Sequence, residues 1–229
     1  MSKRFHKELN EVKKMILALG AKVEARVRMA TDAIISCNTE IATKVKKSDY
    51  EIDEAEVEIE EECLKLLALY QPVAMDLRFV IAVIKINNDL ERIGDQAVNI
   101  AQRVLTMSKE RISSCTYYFD YSVMVKKVKL MIRQSLEALI NMDVDLAISV
   151  CQQDDAVDDI KREAYSAIKT IMKNNPDQLS YLINLLLISR HLERLGDHAT
   201  NIAEEVIYMI EGEIVRHGQK ELENLKNKI

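Results

Sequence analysis

The sequence predicts an all-α protein built as two tandem up-down-up three-helix bundles related by internal duplication. Among 229 residues there are only five Gly, two Pro and no Trp, and 30% are charged, which is typical of long helices. Apolar residues recur at helical spacing almost throughout the chain. The twelve-residue string that begins at Leu90 recurs from Leu192, with nine of the twelve positions identical. Helical periodicity together with this repeat predicts the duplicated fold.

Breaks in the apolar pattern divide the first copy into three helices, which we expect over 5–47, 48–70 and 74–107. Gly20 is the one weak point of the first helix. Ser48 or Asp49 is placed to cap the second helix, which Pro72 then stops.

The second copy follows the same plan, with helices expected over 117–141, 155–173 and 178–210. Pro176 interrupts it where Pro72 interrupts the first copy. The polar stretch at 108–116 joins the copies. We therefore predict a first bundle over 1–112, a second bundle over 113–212 and a polar C-terminal tail over 213–229.

Composition excludes several classes of protein. A net charge of −5 disfavours a nucleic-acid-binding surface, which needs a basic face. The longest apolar runs fall far short of the roughly 20 residues that cross a bilayer, so no direct membrane insertion is expected. The N-terminus has no apolar signal-peptide segment, which predicts a cytoplasmic protein. The four cysteines form no CxxC pair and are expected to be reduced, buried thiols.

The repeated string carries an acidic row as well as a core stripe. On a helical projection Leu90, Ile93 and Ala97 lie on the core face, while Glu91, Asp95 and Asn99 form one row on the flank. The second copy repeats this row, with the members Glu193, Asp197 and Asn201.

A second acidic pair, D-x-x-x-D, lies on the helix before each proline: Asp49 and Asp53 in the first copy, Asp154 and Asp158 in the second. Asp53 precedes Pro72 by 19 residues and Glu91 follows it by 19, so a hairpin at the proline brings the two acids level. In the second copy the corresponding separations are 18 and 17 residues. Each copy is thus predicted to gather four carboxylates and one carboxamide.

Four clustered carboxylates repel one another by about 1 kcal/mol per pair in water, so retaining them in both copies favours a cation site. Oxygen ligands without thiolates favour Mg, Mn, Ca or iron over structural zinc. The alternative is an ordinary solvated acidic face. Arg92 and Arg194 are expected to form surface ion pairs or to contact a partner, and His191 and His198 are expected on the surface.

A duplicated unit with the motif L-E-R-[IL]-G-D-x-A-x-N-I-A resembles the PhoU family, the phosphate-specific transport system accessory proteins of bacteria and archaea. The resemblance is strengthened by the element Q-P-x-x-x-D-L-R, which here runs from Gln71 to Arg78. The second copy keeps Pro176 but lacks the D-L-R, so any role of Asp76 and Arg78 is confined to one half.

The resemblance implies multinuclear metal clusters, most often of iron, with Mg, Mn or Zn as alternatives. The implied ligands are the eight carboxylates, to which the helical rows add the two asparagines: Asp49, Asp53, Glu91, Asp95, Asn99, Asp154, Asp158, Glu193, Asp197 and Asn201.

The resemblance also implies a non-enzymatic negative regulator of the phosphate ABC transporter and of phosphate-starvation two-component signalling. Its partners would be the ATPase subunit of the transporter and the phosphate-sensing histidine kinase, which would hold it at the inner face of the membrane. Homodimers or higher oligomers are common in the family. The alternatives are a di-metal carboxylate hydrolase or oxidase, and a plain helical scaffold. The outward-facing acids, with no repeated His, Lys or Tyr beside them, disfavour an enzyme.

Overall fold

The chain folds as two helical bundles, and its computed structural model describes residues 3–110, 119–213 and 215. In these residues there are seven α-helices, one 3₁₀ turn at Pro176–Gln178 and no strand. The helices, in chain order, are α1 Lys3–Ser36, α2 Thr39–Lys47, α3 Tyr50–Tyr70, α4 Ala74–Met107, α5 Ser122–Asn141, α6 Val144–Asn174 and α7 Leu179–Glu211. The all-α fold with two three-helix repeats is confirmed. The predicted junction at 112/113 and most of the tail lie outside the described residues.

The first predicted helix is wrong in one respect, because it divides into α1 and α2. Cys37 has a φ of 50°, a left-handed conformation that no helix continues through. Asn38 then caps α2, its side-chain oxygen accepting hydrogen bonds from the backbone N–H groups of Glu40 (2.9 Å) and Ile41 (3.1 Å). Gly20, the expected weak point, lies inside the continuous helix α1.

Other helix starts also differ from the sequence prediction. Helix α5 begins at Ser122, five residues after the predicted start at 117. The second helix of the second copy, α6, begins at Val144, eleven residues before the predicted start. Asp143 caps it by accepting a hydrogen bond from the Leu146 N–H at 2.9 Å. Asp49, expected as a cap of α3, makes no capping bond with its side chain. That side chain pairs with Arg26 instead.

The prediction of reduced cysteines holds in part. Cys63 and Cys151 are free thiols, and burial raises the pKa of each to about 12. Cys37 is disulfide-bonded, so the prediction is wrong for this residue. Cys115 lies outside the described residues.

The core stripe predicted for the repeated string is confirmed. Seven residues of α4 are buried along it: Leu90, Ile93, Gly94, Ala97, Ile100, Ala101 and Val104. Helices α1, α3 and α4 pack together in the first copy, and α5, α6 and α7 pack together in the second. Helix α4 also packs against α7, so the two copies of the repeated string lie on the two helices that join the bundles.

The two glycines of the repeated string have different surroundings. A Cβ at Gly94 would lie 3.0 Å from Cδ1 of Ile52 on α3, so this glycine permits a close approach of α3 and α4. A Cβ at Gly196 would lie at ordinary contact distances, with Asp154 Oδ1 and Val157 both at 3.6 Å. Close approach therefore explains the glycine in the first copy and not in the second.

The contact between α4 and α7 has an internal two-fold symmetry. His198 Nδ1 lies 2.8 Å from Asp89 Oδ1, and His191 Nδ1 lies 2.9 Å from Gln96 Oε1. Asp89 and His191 are equivalent positions of the two copies, as are Gln96 and His198, so each pair is the image of the other. The expectation that both histidines lie on the surface is therefore wrong: they join the bundles.

The D-L-R element of the first copy also reaches the second bundle. Gly212 ends α7 with a φ of 76°, and a Cβ there would collide with Nη1 of Arg78. A guanidinium at this point faces the negative end of the dipole of α7. Because the second copy has no D-L-R, this packing occurs once, at one end of the molecule.

Candidate metal-binding carboxylate clusters

The first carboxylate cluster forms between α3 and α4, as the register about Pro72 predicts. Burial raises the pKa of Glu91, and the charges of Asp95, Asp53 and Glu56 raise it further. The pKa of Asp95 is raised by burial and by Asp53. These carboxylates are therefore close enough to repel one another, which is the arrangement that the sequence predicts.

Asp49 belongs to the edge of the first cluster and is held by a buried arginine. Burial, Asp53 and Asp95 raise its pKa, while Arg26 lowers it. Arg26 Nη1 donates to Asp49 Oδ1 at 3.2 Å, and Nη2 of the same arginine donates to the carbonyl of Ser48. The Arg26 side chain is only 6% exposed, so this guanidinium ties α1 to the start of α3.

The second cluster forms between α6 and α7 from the equivalent residues. Burial raises the pKa of Asp154, with further increases from Asp158, Asp155 and Glu193. The largest effect is on Asp197, whose pKa burial, Glu193, Asp154 and Asp158 together raise to about 6. Both copies therefore collect their acids on the flank between a proline-linked pair of helices.

One position distinguishes the two clusters. Lys161 lies three residues after Asp158, where the first copy has Glu56 three residues after Asp53. The Lys161 ammonium donates to Glu193 and lies 3.6 Å from Asp158. The second cluster thus contains its own cation, whereas the corresponding residue of the first cluster adds a fifth negative charge.

The two asparagines of the predicted ligand set make no hydrogen bond to a cluster carboxylate among the described residues, and their role as ligands stays a prediction. Asn201 Nδ2 donates to Asp89 Oδ1 of the first copy at 3.1 Å, beside the His198 contact. Asn99 is half-buried on α4, and its side chain makes no hydrogen bond to a cluster carboxylate among the described residues.

The donor set fits hard cations, since every acid in the clusters offers oxygen ligands. As the side chains stand, no three His, Cys, Asp or Glu residues in the described ranges 3–110 and 119–213 are arranged to hold a metal ion. In the second cluster the Lys161 ammonium lies where a metal would compete for Glu193 and Asp158. The residues of the first cluster therefore fit a bound metal ion better than those of the second.

The two motif arginines line one groove of about 640 Å³ between the bundles. Arg92 Nε donates to Asn88 Oδ1 at 2.9 Å, a contact within α4. Arg194 lies opposite it on α7, with Asp95, Asp154 and Asp197 in the same groove. Among the described residues, neither arginine forms the expected surface ion pair with an acid.

Sequence reasoning missed several residues that shape the site. Arg26 is 23 residues from Asp49, so no local pattern indicated their contact. Lys161 could have been found, because it follows Asp158 by three residues on one helical face. The pairing of Asp89 with His198 spans 109 residues and depends on how the bundles dock.

The shifted pKa of Asp197 predicts a pH-dependent stability. An aspartate whose pKa rises from 3.8 to about 6 holds its proton more tightly in the folded state. Its ionisation therefore destabilises the fold increasingly as the pH rises through this range. In the presence of a chelator, Asp197→Asn should therefore raise Tm by a few degrees at pH 7.5. The gain should shrink as the pH falls below about 6 and should disappear near pH 3.5, where the side chain is protonated in both the folded and the unfolded chain. Thermal unfolding followed by circular dichroism at both pH values measures this.

Asp159→Asn is the matched control, since Asp159 is exposed and pairs with Arg162 at 2.5 Å. It should give no gain in Tm at pH 7.5. A Tm of Asp197→Asn equal to or below that of the wild type at pH 7.5 would contradict the repulsion inferred for the second cluster.

These features define a class: an all-helical protein of two duplicated bundles, each with a carboxylate cluster on the flank of its proline-linked hairpin. The PhoU domain family matches the chain twice, at residues 16–104 and 121–206. The chain therefore belongs to the PhoU family.

Similar proteins support this assignment along nearly the whole chain. A phosphate-specific transport system accessory protein PhoU homolog of Pseudomonas aeruginosa is 39% identical over 95% of this chain and 89% of its own length. One from Aquifex aeolicus is 38% identical over 93% of this chain and 96% of its own.

Two solved structures show the same fold. The crystal structure of PhoU from Pseudomonas aeruginosa has a TM-score of 0.87 at 39% identity, covering 91% of this chain and all of that one. The phosphate transport system regulatory protein PhoU from Streptococcus pneumoniae gives a TM-score of 0.81 at 32% identity, covering 92% of this chain and 99% of that one. None of the described helices is long and apolar enough to span a membrane.

Proposed function

We propose that this chain is a metal-binding regulatory adaptor that restrains the phosphate ABC transporter and phosphate-starvation signalling. The observation that carries the proposal is its similarity, over more than nine tenths of its length, to accessory proteins of phosphate transport. An accessory role suits a scaffold whose acidic clusters lie on open helix flanks. Its partners would be the ATPase subunit of the transporter and the phosphate-sensing histidine kinase.

Metal would be held mainly by the first cluster, whose carboxylates are Asp49, Asp53, Glu56, Glu91 and Asp95. A bound cation, which the family resemblance suggests is iron, would neutralise their repulsion and thereby stabilise the α3–α4 hairpin. Arg26 would orient Asp49 at the edge of this cluster. Mg, Mn and Zn are the alternatives to iron as the physiological metal.

Regulation rather than catalysis is proposed because the two clusters share no acid–base group. Lys161 contacts the second cluster, but its counterpart in the first is Glu56. A hydrolase or oxidase that used both clusters would need equivalent chemistry in each. No contact among the described residues specifically favours the enzyme alternative.

Deletion of the gene in its host tests the proposal. Phosphate-starvation transcripts should then rise in phosphate-rich medium, and wild-type protein supplied in trans should repress them again. A purified ATPase subunit of the phosphate transporter should bind the wild-type protein. If the transcripts stay repressed after deletion and the subunit does not bind, the adaptor proposal fails.

A further inference from the structure

The two bundles carry equivalent grooves of opposite charge. One groove of about 490 Å³ lies beside α3 and α4, and another of about 780 Å³ lies between α6 and α7. Five pairs of equivalent positions line both grooves: Glu56 and Lys161, Glu60 and Tyr165, Ile84 and Leu186, Lys85 and Leu187, and Asn88 and Arg190. The first groove is also lined from α7, by Asn201, Glu204 and Glu205. At these five positions the second groove has cations and apolar groups where the first has two acids, a lysine and an asparagine.

Four cations and two acids, Glu193 and Asp197, line the α6–α7 groove. Lys161 and Arg162 line it from α6, and Arg190 and Arg194 line it from α7. The α6 cations are already paired, Lys161 with Glu193 and Arg162 with acids of its own helix. Arg190 and Arg194 make no ion pair among those described. Two guanidiniums on one rim are therefore available to carboxylates from outside the chain.

Apolar side chains and a tyrosine also line this groove. Leu186 and Leu187 are half-buried, while Tyr165 is 55% exposed and has the Lys169 ammonium 5.9 Å from the centre of its ring. Ile183, 44% exposed, continues the α7 row by one turn. An exposed tyrosine beside arginines and leucines is the composition that binding surfaces favour.

We propose that the α6–α7 groove binds an acidic amphipathic helix of a partner protein. The apolar face of such a helix would lie on Leu186, Leu187 and Tyr165, which is the helix-in-groove mode of recognition. Its carboxylates would pair with Arg190 and Arg194 on the α7 rim. The equivalent groove of the first bundle excludes the same ligand, because five acids and one lysine line it: Glu56, Glu60, Asp89, Glu204, Glu205 and Lys85.

This inference rests on the proposed adaptor function, and its test uses the purified ATPase subunit of the phosphate transporter as the probe. Its affinity for the full-length protein is measured by isothermal titration calorimetry at two salt concentrations. Arg190→Glu/Arg194→Glu should weaken binding about tenfold or more, because both rim charges are reversed. Tyr165→Ser should also weaken it, by about tenfold, through lost apolar contact. Added salt should weaken the wild-type complex more than that of the double variant.

The matched control is Lys44→Glu/Lys47→Glu on α2, which makes the same change in net charge at two exposed lysines. It should bind the subunit as the wild type does, and circular dichroism should show native helix content for every variant.

Three results would overturn the inference. Wild-type affinity in both groove variants would remove the groove as the docking site while leaving the adaptor function intact. A wild-type dimer that Arg190→Glu/Arg194→Glu converts to monomer, as seen by light scattering, would make a second copy the occupant. Failure of the wild-type protein to bind the subunit would remove the proposed partner, and the inference with it.

Discussion

Replacement of Glu91 by alanine is expected to remove more bound metal than replacement of Glu193. Glu91 belongs to the cluster in which Glu56 adds a fifth negative charge, while Glu193 is already neutralised by Lys161. Protein purified without chelator should carry about one ion per chain or more, and Glu91→Ala should lose most of it. Elemental analysis by inductively coupled plasma mass spectrometry gives the stoichiometry.

Lys161→Met offers the converse test. Removing the ammonium leaves Glu193 and Asp158 without their internal cation, so the second cluster should bind more metal than in the wild type. Glu58→Ala, at an exposed acid of α3 outside the cluster, should leave the stoichiometry unchanged. Less than one ion per chain in the wild type, unaltered by Glu91→Ala with Glu193→Ala, would rule out metal binding by the clusters.

Replacement of Leu90 by alanine should have the largest effect on stability among changes in the repeated string. Leu90 is fully buried, with 0% exposure, in the core face of α4. Truncating a buried leucine to alanine costs about 2–5 kcal/mol. In a protein of this size each kcal/mol lowers Tm by about 2–4 °C. Thermal or urea unfolding of the two proteins measures the difference.

Leu130→Ala is the control for Leu90→Ala, since Leu130 is 39% exposed on α5. Its effect should stay within about 0.5 kcal/mol. Leu90→Ala should retain metal where Glu91→Ala loses it, because adjacent residues of the string face different environments. Equal stabilities of Leu90→Ala and Leu130→Ala would contradict the assignment of the leucine to the core.

The repeated string thus carries both core residues and acidic residues, and the helix places them on different faces. Leu90 and Ile93 face the core, and Glu91 and Asp95 face the flank, which the period of 3.6 residues predicts from the sequence. The third predicted helix, 74–107, matches α4 to the residue. Pro72 marks its start and the polar stretch after Met107 marks its end, so both boundaries are local signals.

Other local signals were present but weaker. Asn38 and Asp143 are ordinary N-cap residues, yet the apolar period continues across both, so the break before α2 and the early start of α6 were missed. One N-cap stabilises a helix by about 1 kcal/mol. In the sequence, this single-residue signal is weaker than an apolar pattern that continues over many residues.

The sequence by itself determined most of the helices, the duplication and the meeting of four carboxylates in each copy. These follow from helical periodicity and from counting residues about two prolines, which are properties of neighbouring positions in the chain. The tertiary structure alone decided what surrounds those acids. Arg26 reaches Asp49 from another helix, and Asp89 meets His198 across the two bundles. Such contacts depend on how whole helices dock, because residues distant in the chain come together only when their helices pack.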